Sequence, residues 1–194
     1  SQASPASHSA DHHHDGTIRT RSLLGVAPIT IRESHLTSAM GPVETADVVV
    51  AFITSGWTRI RLTTAEIDLR AGDVVTIPGE TEVWLTPGEP VQAVTMHVLK
   101  EFLSAQLTWM PFAHPLTHML RDALRGDHRP GVIGIGEHRM LELVPTLRWL
   151  AQFHRCRGNE FAIAARVAEV LQVVAGPPHG ASAEAGTTRM ARRE

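Results

Sequence analysis

From residue 47 to residue 99 the sequence breaks into six short runs rich in β-branched and aliphatic residues: "DVVVAFI", "WTRIRL", "EIDL", "DVVTI", "EVWL" and "VQAVTMHVL". Between them stand Ser55-Gly56, Thr63-Thr64, Ala71-Gly72, Pro78-Gly79 and Pro87-Gly88, which supply turn chemistry. A parallel sheet needs a crossover of about a dozen residues between strands, and no connection here is that long. The region therefore reads as an antiparallel barrel or sandwich. In "WTRIRL", Ile60 and Leu62 alternate with Arg59 and Arg61, which puts the aliphatics inside and the arginines outside.

After Leu99 the apolar period changes from two to about 3.6. "KEFLSAQLTWM" spaces Phe102, Leu103, Ala105, Gln106 and Trp109 as on a helix, and "PLTHMLRDALRG" opens on a first-turn proline and closes at Gly126. "GVIGI" is expected to return to the sheet. Residues 137–157 form a long helical stretch with Pro145 inside, where a kink or a restart is expected. The final helix, residues 160–175, is apolar over more than a narrow stripe, so it needs cover on more than one side.

Composition limits what such a chain can do. A length of 194 residues with 43% hydrophobic and 20% charged residues suits one sizeable core and a helical annex. The net charge of −2 and pI near 6.6 give no basic footprint for nucleic acid. Cys156 is the only cysteine, which excludes an internal disulfide and a cysteine-based zinc cluster and suggests a reducing compartment. No stretch nears the ~20 apolar residues of a membrane span, so a cytoplasmic protein without membrane contact is expected. Residues 1–16, "SQASPASHSADHHHDG", read as a flexible arm; His12, His13 and His14 are adjacent, which does not preorganise a metal site. Residues 176–194 have linker composition ending in a basic run.

The succession of "VVVAFITSG", "RAGDVVTIPGETEVW", "VQAVTMHVLKEFLSAQLTW", two helices and an apolar last helix resembles the N-terminal regulatory domain of AraC-type bacterial transcription regulators, over about residues 48–175. The resemblance implies a mainly β fold with α: a cupin-like, jelly-roll barrel at residues 17–99, a helical dimerisation subdomain at 100–175, and a linker at 176–194 toward an absent helix-turn-helix domain. DNA would be met only through that domain. It further implies a homodimer and a small-molecule effector, with no enzymatic activity.

Metal-dependent cupins carry two histidines one residue apart, a glutamate, and a third histidine after the proline-glycine turn. Here "ESHLTSAMGPVET" offers only His35, and Glu82 stands at the later position, so no metal and no cofactor are expected. A stand-alone cupin enzyme using Glu82, His97 and the His-rich arm is the alternative. No nucleophile elbow or phosphate cradle supports it, and "GVIGIGEH" lacks the context of a dinucleotide fingerprint. A barrel without metal can still enclose a small organic ligand. Carried over from the resembled family, the ligand-binding positions are Thr54, Glu82, Trp84, Val94 and Met96. Trp84, Val94 and Met96 serve equally as core fillers, and Glu82 would need a partner if it points inward. His97, of opposite parity to Met96, is expected outside the pocket. In the last helix Phe161, Ala164, Ala168, Leu171 and Val174 are the expected dimerisation residues; lid formation over the sheet is the other reading.

Overall fold

A computed structural model describes residues 28–108, 110, 114–127, 129–156 and 159–175. The chain runs β1 (Ile29–Leu36), β2 (Met40–Thr45), β3 (Val48–Ser55), β4 (Trp57–Leu62), β5 (Glu66–Arg70), β6 (Asp73–Ile77), β7 (Thr81–Pro87), β8 (Val91–Val98), α1 (Lys100–Leu107), α2 (Pro115–Leu124), β9 (Gly131–Gly134), α3 (Glu137–Arg155) and α4 (Glu160–Ala175). All strand pairs are antiparallel. One sheet has the order β1-β8-β3-β6-β9 and the other β2-β7-β4-β5. The proposed arm and linker, and Trp109, lie outside the described residues.

The alternation of side chains sorts the molecule into three layers. On β3, Val49, Ala51 and Ile53 meet Ile60, Leu69 and Val83 of the opposite sheet and fill the space between the two. Val48, Val50 and Phe52 point the other way and join the helices in a second core that includes Leu120, Leu147 and Val170. The middle of the five-stranded sheet is thus buried on both faces, which is why β3 and β8 read as nearly continuous apolar runs. "GVIGI" does return to the sheet: β9 pairs with β6 at its edge.

Two strands precede the run at which the sequence pattern begins. In β1 only Ile29 and Ile31 are buried and the rest is exposed or half-buried; β2 contains Gly41-Pro42 and a register shift. Both are edge strands, with one neighbour each and little need for apolar alternation.

Helix α3 is a single helix through Pro145, so of the kink or restart expected there the restart does not occur. Proline frees the carbonyl four residues back, at Leu141. Leu141 is 61% exposed and Pro145 is also exposed, so water can serve that carbonyl. α2 begins as the sequence suggests, with Pro115 at its first position; His114 Nδ1 accepts a hydrogen bond from Leu116 N at 3.1 Å. It stops before Gly126, whose φ of 78° suits glycine.

Candidate ligand grooves and the helical face

The five expected ligand-binding residues do not meet. Val94 and Met96 are 1% and 0% exposed and lie in the core beneath the helices, on the far side of the sheet from the barrel interior. On β7, Thr81 and Val83 are buried and Leu85 packs inward, so Glu82 and Trp84 stand on the outer face of the four-stranded sheet. Glu82 is exposed there, where its carboxylate keeps its hydration. Thr54 is half-buried and its Oγ1 donates to the Gln92 carbonyl at 3.0 Å. The expected placement of these residues around one barrel cavity is therefore corrected. His97 is also reversed: it shares its face with Val91 and Ala93, between the sheets. Burial holds its pKa below the usual histidine value, Arg32 adds to this, and Asp47 opposes it.

Separated onto different sheets and different faces, Glu82 and His97 cannot share one metal ion. Among the described residues no three His, Cys, Asp or Glu side chains are grouped as a metal site would need.

Among the described residues, aliphatic side chains occupy the inter-sheet space, and three ligand-sized openings lie on the surface. A cleft of about 630 Å³ at one end of the barrel is lined by Gly56, Trp57, Asp68, Arg70, Ala71, Glu89 and Glu137. A second, of about 310 Å³, lies on the outer face of the four-stranded sheet among Met40, Gly41, Arg59, Arg61, Glu66 and Trp84. A third, of about 360 Å³, runs between α1 and α2 beside Leu107, Arg121 and Arg125. In the second, Arg61 lies opposite Trp84 in the strand register, and its guanidinium sits 4.9 Å from the centre of the indole. Arg59 beside it is held by Asp68, Nε to Oδ1 at 2.7 Å and Nη2 to Oδ2 at 3.2 Å, and by Glu66 at 3.2 Å. The hydrogen bond to Asp68 raises the Arg59 pKa further above its usual value.

Sequence reading placed Arg61 outward but missed its role as the partner of Trp84. That pairing depends on the β4–β7 register, which no short-range pattern carries.

The helical expectations divide in the same way. Leu171 and Val174 are 7% and 2% exposed and belong to the core with Ile163, Val167 and Val170, which corrects their assignment to an exposed contact face. Phe161 and Ala168 are exposed and Ala164 is half-buried. Phe161 is 87% exposed, and Leu141 and Trp149 of α3 and Val173 of α4 are exposed as well. Trp149 stacks on Phe153 with centroids 4.5 Å apart, and Arg166 lies 5.8 Å from the Trp149 ring.

No protein-family model matches the chain, and no curated protein is similar to it in sequence. Solved structures do resemble it. Apo ToxT K231A from Vibrio cholerae strain SCE256 is 11% identical with a TM-score of 0.51, over 76% of this chain and 55% of that one. ToxT from Vibrio cholerae O395 is 8% identical over the same shares, with a TM-score of 0.46. A cupin-2 domain protein from Shewanella frigidimarina NCIMB 400 is 19% identical over 40% of this chain and 78% of its own, with a TM-score of 0.35. This chain thus spans about half the length of ToxT. At such identities the likeness concerns fold: a cupin-like, jelly-roll β architecture followed by a helical part.

Proposed function

We propose that this chain is the effector-sensing and dimerisation domain of an AraC-type transcription regulator, binding a small organic ligand without metal and without catalysis. ToxT, whose fold it shares, is a regulator of that type. The observation that carries the reading is the single core formed by the five-stranded sheet and the helices. Val50 and Met96 of the sheet join Leu147 of α3 and Val170 of α4 in it. Arg148 of α3 also binds Glu33 of β1 at 3.3 Å and Gln92 of β8 at 3.3 Å. A change in the strands cannot leave α3 and α4 where they were, because close-packed layers shift together rather than deform locally. The outer surface of those helices carries Phe161, Leu141 and Trp149, where a second copy would dock.

The test is a fusion of the entire 194-residue chain to a heterologous DNA-binding module that lacks its own dimerisation element. The reading expects operator occupancy well above that of the module alone, because linking two half-site binders raises effective concentration. Occupancy no better than that of the isolated module would reject it.

A further inference from the structure

The geometry points to the groove beside Trp84 as a binding site for a flat organic carboxylate. Three features on the outer face of the four-stranded sheet converge there. First, Arg61 has no hydrogen-bonded or ion-paired partner among the described residues; its one close interaction is the stack on Trp84 at 4.9 Å. A guanidinium presents its N–H donors as a planar fork that matches a carboxylate in two parallel hydrogen bonds. Second, the neighbouring charges are already engaged. Arg59 pairs with both Asp68 and Glu66; its one positive charge offsets one of the two carboxylates, and Glu66, which faces Arg61 in the strand register, is bonded to Arg59 and leaves the Arg61 fork open. Third, the indole is flanked by backbone. Gly41 of β2 crosses so close that a Cβ there would lie 2.8 Å from the Val83 carbonyl oxygen and 3.0 Å from Trp84 Cδ1, so the β2 backbone bounds the ring on one side. Arg61 and Trp84 thus already stand against each other before a ligand arrives, which limits the side-chain freedom lost on binding.

The groove has the size for such a ligand: about 310 Å³ sits at the small end of ligand pockets, enough for one or two rings. Met40, 40% exposed, supplies apolar contact for the ring body, and the Thr86 hydroxyl adds a donor. The carboxylate would engage Arg61 while the flat body lies against Met40 and the indole edge. As the effector site it rests on the sensing role proposed above, but the binding itself requires neither a dimer nor DNA, so the two stand or fall separately.

The experiment uses the full chain, labelled with ¹⁵N, titrated with biphenyl-4-carboxylate. Biphenyl-4-carboxamide removes the charge, and the saturated bicyclohexyl-4-carboxylate removes the flatness. The carboxylate is expected to shift the Trp84 indole N–H and the Arg61 Nε–H, and to bind about tenfold or more tightly than either analogue. Arg61→Gln should abolish that preference for carboxylate over amide, and Arg61→Lys should restore it only in part, because the fork is lost. Unchanged melting temperatures of the exposed-site variants would confirm an intact fold. The proposal is overturned if the carboxylate fails to bind at about 10 mM, a concentration far above typical effector affinities. Shifts confined to another cleft, or an Arg61→Gln variant with undiminished preference, would overturn it as well.

Discussion

Replacing Met96 by alanine distinguishes a core residue from a pocket wall. Met96 is wholly buried; its register partners are Ile31 on β1 and Val50 on β3, both facing the same helical core. Truncation removes three heavy atoms from a site hemmed in by two strands and the helices above, so collapse into the space is limited. Losses for Met→Ala in such sites run at about 2–5 kcal/mol. For a domain of this size each kcal/mol lowers the melting temperature by roughly 2–4 °C, which gives a fall of about 4–20 °C. Guanidinium unfolding followed by circular dichroism should show a lower midpoint at an unchanged slope. Glu82→Ala, on the exposed face, should stay within about 0.5 kcal/mol of the parent. A Met96→Ala variant as stable as the parent would show that this side chain borders open space, and the assignment of the helical core would be wrong.

Other expectations follow from the same layers. Leu171→Asp should unfold the helical subdomain, with lost near-ultraviolet dichroism, because it places a charge in the core; a folded variant would contradict the burial of that face of α4. Gly41→Ala should destabilise by about 1–3 kcal/mol, through a positive φ and a clash with Val83 and Trp84, and should perturb Trp84 fluorescence; a neutral effect would argue against the tight crossing of β2. His97, His114 and His154 all have pKa values depressed chiefly by burial, so folding favours their neutral forms. The stability this contributes is complete above the ordinary value of 6.5 and is lost as pH falls from there through the folded pKa values. Urea midpoints from pH 7.5 down to 5 should decline, less steeply in His97→Gln; a midpoint that rises on acidification would refute the direction.

The strands from β3 onward were legible because short aliphatic runs between Gly- and Pro-bearing turns have few other uses. β1 and β2 were not, since edge strands facing solvent carry residues such as Arg32, Glu33 and Pro42 that no strand pattern selects. The facing of β8 was hidden for the opposite reason: both its faces are buried, so Val94 and Met96 carry no mark of which core they serve. In α4 the true stripe is Ile163, Val167, Val170, Leu171 and Val174, and the alanines around it blurred its edges. Phe161 was grouped with Leu171 and Val174 on one contact face, because hydrophobicity alone does not separate a core face from a contact face. The groove at Trp84 is built by register and by the approach of Gly41, both long-range, so its members could not be gathered from the sequence.

Sedimentation equilibrium of the whole chain tests most directly whether this is a sensing and dimerisation domain. The account predicts a reversible dimer of the 21.1 kDa chain at micromolar concentration, converted to monomer by Phe161→Asp and retained in Arg61→Gln. A parent chain that remains a 21.1 kDa monomer at about 100 μM, a weak limit for any specific dimer, would contradict it.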